Sequence, residues 1–236
     1  MCRQPEACEI SPYHVPAIWS IPLSANRQPA SHHDASMITL GLTGGIGSGK
    51  TAAAARLAEK RGVRLVLADD VAKRLMVEDE TVRQSVSERF GADTYREDGS
   101  LDRARLAARV FGDERELEAL NAIVHPAVRR AMLREIERAR EDRIRLLVYE
   151  AALIFETGAD QILDHVAVVE APVGTRIARA MARDGSSRED VLARMARQLP
   201  PETLRQRADS VLDNAGSLAD LHAQADALYA RLADAA

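Results

Sequence analysis

A glycine-rich segment, "GLTGGIGSGKT" at residues 41–51, holds the side chains of this sequence that are best suited to chemistry. Gly44, Gly49, Lys50 and Thr51 fit the pattern G-x-x-x-x-G-K-[ST] of a phosphate-binding loop, or P-loop. Glycines let the backbone bring its N–H groups against phosphate oxygens, and the dipole of a following helix favours the anion. An apolar run before the motif and an alanine-rich run after it predict the strand and the helix that this interpretation requires.

The P-loop predicts a site for a nucleoside triphosphate and Mg²⁺. Lys50 is expected to reach the β- and γ-phosphates, and the Thr51 hydroxyl to bind Mg²⁺. A small-molecule kinase, a hydrolysing motor and a switch all use such a site. The sequence has no guanine-reading N-K-x-D segment and is short for a motor, which favours a kinase. The predicted ATP contacts are Gly45, Ile46, Gly47, Ser48, Gly49, Lys50, Thr51 and Ala52.

Two aspartates follow the second strand-like run, "VRLVLAD", which we expect to lie next to the P-loop strand. A carboxylate at the C-terminal end of a parallel strand points into the ligand crevice of an α/β sheet. Asp69 could therefore accept a proton from an attacking hydroxyl, as a general base. Asp69 and Asp70 could instead cap the next helix. Lys73, one turn on, could hold an anionic substrate or simply face solvent.

The elements around these residues alternate between strand-like and helical patterns. Strands are predicted at "ITLGLT", "VRLVLAD", "RLLVYEA", "HVAVVEA" and "ADSVLD", with helices at 50–61 and 217–233 among others. Ser217, with Asp220 three residues on, predicts a capping box at the start of the last helix. This alternation predicts an α/β fold with a five-stranded parallel sheet flanked by helices. The helical block at 70–142, with one loop at "GADTYREDGS", is too long for a simple crossover, so we expect an inserted subdomain at the C-terminal edge of the sheet.

Pro126 lies within this block and removes a backbone N–H, so it is expected to bend or break its helix. The preceding His125 could contact a substrate or have a structural role at the break. Glu150, at the end of the third strand, is a candidate for orienting water bound to Mg²⁺. Glu156 could equally be an acidic residue at a helix N-terminus.

Composition limits the classes of function. The chain has 236 residues, 46% of them hydrophobic and only 3% aromatic, which predicts a soluble protein with an aliphatic core. The net charge of −4 argues against extensive nucleic-acid binding. No uncharged apolar stretch is long enough to predict a membrane span. Cys2 and Cys8 are the only cysteines, so we expect no disulfide framework and a reducing, cytoplasmic setting.

Residues 1–36 differ from the rest of the chain. They hold five of the nine prolines and the polar string "SHHDAS", without a strand or helix period. We expect a disordered or loosely docked extension, with a short structured arm as the alternative. Met37 opens the first strand and is a candidate for the true start of the protein.

Several segments together resemble the dephospho-CoA kinase family. "TGGIGSGKT", "LADDVAKRL", "LNAIVHP", "EAALIFETG" and "RDGSSREDVLARMARQLP…RADSVLDNAGS" occur in the order, and at roughly the spacing, of that family, over residues 38 to about 232. The resemblance implies a P-loop kinase fold. It also implies that ATP phosphorylates the ribose 3′-hydroxyl of dephospho-CoA to give CoA and ADP, the last step of coenzyme A biosynthesis.

The resemblance further implies a domain at 37–236 in three parts. These are a nucleotide-binding core (37–69 and 143–236), a helical substrate-binding insertion (70–142) and a lid at about 174–207. The lid segment has eight arginines against four acidic residues, and Arg176, Arg179 and Arg183 share one helical face. A cationic face that closes over a triphosphate would neutralise charge on the transferred group, although a solvated, salt-bridged helix is the alternative.

The resemblance also implies roles for individual residues of the site. Asp69 matches the family's catalytic base, Arg183 is the predicted lid contact to phosphate, Lys73 and His125 are predicted substrate contacts, and Asn214 matches the adenine-side loop. Four positions depart from the family pattern. Lys73 replaces a residue that is usually Arg, so it can pair with phosphate but not in a bidentate fashion. Leu67 replaces an Asp, so Asp69 alone can be the base; Ala152 replaces a Pro; and Leu204 replaces a frequent Lys, so a phosphate contact there would have to come from Arg205.

Two alternatives stay open. One is a different P-loop small-molecule kinase, such as a nucleoside monophosphate kinase. The other is a non-catalytic ATP-binding module, against which the presence of Asp69 together with Lys50 argues. The predicted partner is dephospho-CoA, with no nucleic acid and no membrane, and the predicted state is a monomer.

Overall fold

The computed structural model describes residues 37–110 and 113–233. The predictions made for residues 1–36 lie outside this part of the chain. Within it, no helix is both long and apolar enough to cross a lipid bilayer.

Five parallel strands form one sheet, as the sequence predicts. They are β1 (Ile38–Thr43), β2 (Val63–Leu67), β3 (Leu146–Glu150), β4 (His165–Glu170) and β5 (Ser210–Asp213), in the order β2-β3-β1-β4-β5. The strands are rich in Val, Leu and Ile because both faces of a parallel sheet are covered. β1, which leads into the P-loop, lies at the centre.

Nine helices are described. They are α1 (Lys50–Ala58), α2 (Ala68–Glu78), α3 (Glu80–Phe90), α4 (Arg103–Val110), α5 (Glu114–Glu141), α6 (Val173–Asp184), α7 (Arg188–Met195), α8 (Pro201–Arg207) and α9 (Leu218–Ala233). The start of α9 confirms the predicted capping box, since Asp220 N donates to Ser217 Oγ (3.2 Å) and Ser217 N donates to Asp220 Oδ2 (2.9 Å).

Two apolar layers cover the sheet. On one face Leu57 of α1 and Leu221 and Leu228 of α9 are buried against β1, β3 and β4. On the other face Met132 and Ile136 of α5 pack with Phe155 and with Leu204 of α8. A separate cluster of α2 to α5 forms the core of the helical insertion, and it includes Val124 and Val128.

The predicted strand neighbours were wrong in one respect. β3 lies between β1 and β2 and pairs with both, so β2 does not adjoin the P-loop strand. The chain leaves the sheet after β2, passes through the helical insertion and returns at β3 beside β1. Glu150, at the end of β3, therefore lies between the P-loop and the end of β2.

Several element boundaries also differ from the prediction. α1 ends at Ala58 rather than at residue 61, because the chain turns there and Gly62 takes a φ of 78°. The helical block is four helices, and Asp79 both ends α2 and caps α3 by accepting a hydrogen bond from Val82 N (3.1 Å). Asp69 lies in the first turn of α2, not in β2.

At Pro126, where the sequence predicts a bend or a break, the helix does not break. α5 is continuous from Glu114 to Glu141 and contains Pro126. A proline removes one helical hydrogen bond, but the neighbouring Val124, Ala127 and Val128 are buried against the insertion core. Packing of this face holds the helix together across the missing bond.

Candidate active site

The P-loop takes the backbone conformation that its glycines predict. Gly47 and Gly49 have φ values of 75° and 99°, in the region that residues with a Cβ rarely adopt. α1 begins at Lys50, directly after this turn, so its free N–H groups and positive dipole end face the loop. The segment can therefore bind an anionic phosphate chain through its backbone.

Lys50 and Glu150 form an ion pair at the centre of the site. Lys50 Nζ lies 3.9 Å from Glu150 Oε1, and both side chains are only 12% exposed. Burial lowers the pKa of Lys50, while the negative charges of Glu150 and Asp69 raise it. Burial raises the pKa of Glu150, and the charge of Lys50 opposes that shift. Each charge thus partly offsets the effect of burial on the pKa of the other group.

Thr51 and Glu150 fit the ligand chemistry of Mg²⁺. Thr51 Oγ1 donates to Glu150 Oε2 at 3.4 Å, so a hydroxyl and a carboxylate lie side by side at the P-loop. Mg²⁺ prefers such oxygen ligands, and it is often held by one or two carboxylates together with nucleotide phosphates. No group of three or more His, Cys, Asp or Glu residues in the described parts of the chain could hold a metal alone.

Asp69 lies in the first turn of α2, directly after β2. Its negative charge contributes to the pKa values of Lys50, Glu150 and Arg183. The adjacent Asp70 is exposed, as Asp69 is, but its Oδ1 lies 3.1 Å from Lys73 Nζ. Of the two aspartates, Asp69 is the one that lines the cavity described below.

A cavity of about 310 Å³ opens beside Asp69, between α2, α5 and the turn that follows β3. This volume lies at the lower end of the range for small-molecule sites. His125 lines the cavity, and burial lowers its pKa, so its imidazole is neutral at physiological pH. Most of the lining is apolar; the polar and aromatic lining residues are Asp69, Asn121, His125, Arg129, Tyr149 and Thr157.

Two predicted substrate contacts thus have different surroundings. His125 lies in the wall of the cavity. Lys73 is exposed, pairs with Asp70, and lies outside the cavity lining. Tyr149 also lines the cavity. The sequence did not indicate this, because its position in β3 is typical of an ordinary core residue. Burial, with a further contribution from the charge of Asp69, raises its pKa to about 12.

The three arginines that share a face of α6 have different surroundings. Arg176 is buried, and its Nε donates to Ile46 O of the P-loop at 3.1 Å. A Cβ placed on Gly49 would lie 3.8 Å from Arg179 Nη1. Arg183 pairs with Asp184 (2.7 Å), which raises its pKa; the charges of Asp69 and Glu150 also contribute. Arg176 and Arg179 therefore lie at the P-loop, whereas Arg183 is held by Asp184.

Asn214 contacts the P-loop itself. Its Nδ2 donates to Ser48 O at 2.7 Å, and the residue is only 4% exposed. This bond connects the P-loop to the segment that follows β5. The contact between Asn214 and adenine stays a prediction. Arg205, the replacement suggested for a family lysine, pairs instead with Glu170. Leu204 itself is buried in the core, so an apolar side chain suits that position.

Gln198 is the site residue that sequence reasoning missed. Its Oε1 accepts a hydrogen bond from Ile46 N at 2.8 Å. Ile46 is one of the predicted ATP contacts, and in this structure its N–H is already bonded to a side chain that lies 152 positions away in sequence. The segment "RMARQLP" contains Gln198, but nothing in the local pattern indicates which loop its amide reaches.

Comparison with known proteins gives one consistent family. The family model described as dephospho-CoA kinase matches residues 38–220. A dephospho-CoA kinase of Salinibacter ruber is 51% identical over 82% of this chain and 96% of its own length, and one of Chlorobaculum tepidum is 44% identical over 83% and 95%. The crystal structure of TT1252 from Thermus thermophilus is 40% identical, with a TM-score of 0.68, over 83% of this chain and 98% of that one.

Proposed function

Because the chain belongs to the dephospho-CoA kinase family, we propose that it transfers the γ-phosphoryl group of ATP to the ribose 3′-hydroxyl of dephospho-CoA, giving CoA and ADP. The observation that carries this proposal is the position of Asp69. It faces the Lys50–Glu150 pair on one side and lines the cavity on the other. A carboxylate placed between a triphosphate site and a second cavity suits transfer to an acceptor rather than binding alone.

In the proposed reaction Asp69 accepts the proton of the 3′-hydroxyl as its oxygen attacks the γ-phosphorus. The O–H bond breaks, a new O–P bond forms, and the bond from the γ-phosphorus to the β,γ-bridging oxygen breaks to release ADP. Lys50 neutralises charge on the β- and γ-phosphates, and the backbone N–H groups of the P-loop hold the phosphate chain. Arg183 approaches the transferred group from α6, and Gly45 to Ala52 with Asn214 form the nucleotide side.

Thr51 is the proposed protein ligand of Mg²⁺, with Glu150 held beside it. The ion would supply charge neutralisation between the β- and γ-phosphates. The hydroxyl–carboxylate pair at 3.4 Å supports this assignment.

We propose that the cavity between α2 and α5 receives part of dephospho-CoA, with His125 in its wall and Lys73 at its rim. The corresponding domain division is a core at 37–69 and 143–236, a substrate-binding insertion at 70–142 and a lid at about 174–207. The separate apolar core of α2 to α5 supports treating the insertion as one unit. We further propose a cytoplasmic monomer without nucleic-acid partners; the net charge of −4 supports the last of these points.

A turnover screen tests the proposal against other P-loop kinases. ADP release is measured with Mg²⁺ and ATP in the presence of dephospho-CoA, adenosine, AMP or UMP, and without an acceptor. We expect rapid release only with dephospho-CoA, accompanied by one CoA formed per ADP. Faster release with AMP or UMP would indicate a nucleoside monophosphate kinase, and equal release without acceptor would indicate hydrolysis.

A further inference from the structure

Gln198 joins the two substrate sites through one buried side chain. Its Oε1 accepts from Ile46 N in the P-loop at 2.8 Å. Its Nε2 donates to Ala152 O at 3.3 Å, and Ala152 lines the cavity next to Asp69. The residue is 9% exposed, so water competes little for these bonds.

The neighbouring residue strengthens the same junction. Leu199 N donates to Glu156 Oε1 at 2.9 Å, and Glu156 belongs to the turn that follows β3. Residues 198 and 199 are therefore bonded to this turn at two points and to the P-loop at a third. They lie immediately before Pro200 and Pro201, whose fixed φ restricts the backbone.

Ile46 is held from the lid side in three ways. Its N–H is bonded to Gln198, its carbonyl accepts from Arg176 Nε at 3.1 Å, and its side chain packs with Ile177, Ala180 and Val191 of α6 and α7. A peptide group held at both its donor and its acceptor has little freedom to shift. The P-loop position at Ile46 is thus set by the lid and by Gln198.

We propose that Gln198 is a positioning residue for phosphoryl transfer, which holds the P-loop and the acceptor-side turn at a fixed separation. This inference rests on the proposed function. Transfer requires the acceptor oxygen and the γ-phosphorus to meet in line at close approach, so a small displacement between the two sites lowers the rate of the chemical step. Gln198 acts on the geometry between the sites and contacts neither reacting atom.

Two substitutions distinguish between two roles of Gln198. It could be a bridge, which connects the P-loop to the acceptor-side turn, or it could support the P-loop alone. Q198E keeps the side-chain length and the oxygen that accepts from Ile46 N, but it cannot donate to Ala152 O. Q198L removes both bonds. The matched control is Q206L, because Gln206 is an exposed residue of α8 on the same segment. ATP affinity is measured by calorimetry, and kcat and KM are measured for both substrates.

For Q198E we expect a kcat at least about 10-fold below that of Q206L, which corresponds to about 1.4 kcal/mol, while the Kd for ATP changes by less than about 3-fold. For Q198L we expect the same loss of kcat together with weaker ATP binding. Melting temperatures establish that each variant is folded, and if Q198L does not fold, Q198E alone decides the question.

The proposal is overturned if the kcat of Q198E lies within twofold of that of Q206L. It is also overturned if Q198E loses ATP affinity as strongly as it loses kcat, since that pattern belongs to a P-loop support. The proposed function has its own control in the same experiment. If the wild-type protein forms no CoA from dephospho-CoA, the proposed function fails, whereas normal wild-type turnover with an unaffected Q198E variant refutes only the bridge.

Discussion

Lys50 lies among charges of both signs, and its neighbours explain how the site can accept a triphosphate. Glu150 and Asp69 are close enough to raise its pKa, and Arg176 and Arg183 are close enough to lower it. Burial is the largest effect and also lowers the pKa. A bound phosphate chain would add negative charge near Lys50, Arg176 and Arg183. Nucleotide binding should therefore stabilise the charged forms of all three side chains.

Arg183 is the residue at which this electrostatic account is easiest to test. We expect Arg183→Ala to lower kcat on the order of 10²-fold at saturating ATP, because a donor to the transferred phosphoryl group is lost. The measurement is CoA formation under steady-state conditions. Arg188→Ala is the matched control, since Arg188 is an exposed arginine at the start of α7. Equal turnover of the two variants would remove Arg183 from the proposed mechanism.

At the scale of elements, the predicted lid segment consists of two parts with different packing. α6 and α7 share a small cluster of Ile177, Ala180 and Val191 with Ile46 of the P-loop. α8 instead belongs to the main core, because Leu204 is 3% exposed and packs under the sheet. We therefore expect α8 to stay with the core and to take no part in any movement of the lid.

This division predicts different costs for two leucine substitutions. Leu204→Ala should lower the free energy of unfolding by about 2–5 kcal/mol, because it leaves a cavity in the core. Leu192→Ala, at a position in α7 that is 42% exposed, should change it by no more than about 0.5 kcal/mol. Urea denaturation gives both values. A small effect of Leu204→Ala would place α8 in the mobile lid after all.

The turn that follows β3 predicts a pH dependence of stability. Burial raises the pKa of Glu156 above its ordinary value of 4.5, although the hydrogen bond from Leu199 N opposes the shift. Between 4.5 and the higher folded pKa, the folded protein holds a proton that the unfolded chain has released. The contribution of Glu156 to stability therefore falls as pH rises through this window and stays low above it.

Glu156→Gln should remove that slope, since the amide has no proton to lose and its oxygen can still accept from Leu199 N. We expect the melting temperature of the variant, relative to wild type, to be higher at pH 7 than at pH 4. Thermal unfolding at several pH values measures the difference. Glu202→Gln, at an exposed position of α8, controls for the loss of one negative charge. A difference that does not change with pH would contradict the assignment.

At the scale of the whole molecule, the strand order decides which residues meet. With β3 between β1 and β2, the ends of three adjacent strands lead to the P-loop, to Glu150 and to Asp69. The lid crosses the same edge of the sheet with Arg176, Arg179 and Arg183. The chain as a whole carries a net charge of −4, so this cationic face is a local feature that opposes the overall balance.

The sequence predicted the parts of this arrangement that depend on local pattern. The P-loop, the five parallel strands, the capping box at Ser217 and the shared face of three arginines all follow from spacing within about ten residues. The position of β3 between β1 and β2 did not follow, because strand order depends on pairing across the chain. Packing also overrode a local rule at Pro126, where buried neighbours keep α5 continuous.

The site residues divide along the same line. Lys50, Thr51 and Asp69 could be predicted as site residues from motif and from position at strand ends. Gln198 could not, because its two hydrogen bonds reach residues far away in sequence. Ile46 lies 152 positions from Gln198, and Ala152 lies 46 positions from it. Asn214 was identified, but its observed bond to Ser48 O is a contact to the P-loop backbone that the sequence did not indicate.

The central claim is that Asp69 accepts the proton in transfer to dephospho-CoA, and its most direct test compares Asp69→Asn with Asp70→Asn. Both variants remove one carboxylate from the first turn of α2, but of the two only Asp69 lines the cavity and contributes to the pKa of Lys50. ATP affinity and CoA formation are measured on the same preparations. We expect Asp69→Asn to bind ATP and to form CoA about 10²–10⁴-fold more slowly, with Asp70→Asn near wild type. CoA formation by Asp69→Asn at the rate of Asp70→Asn would contradict the account.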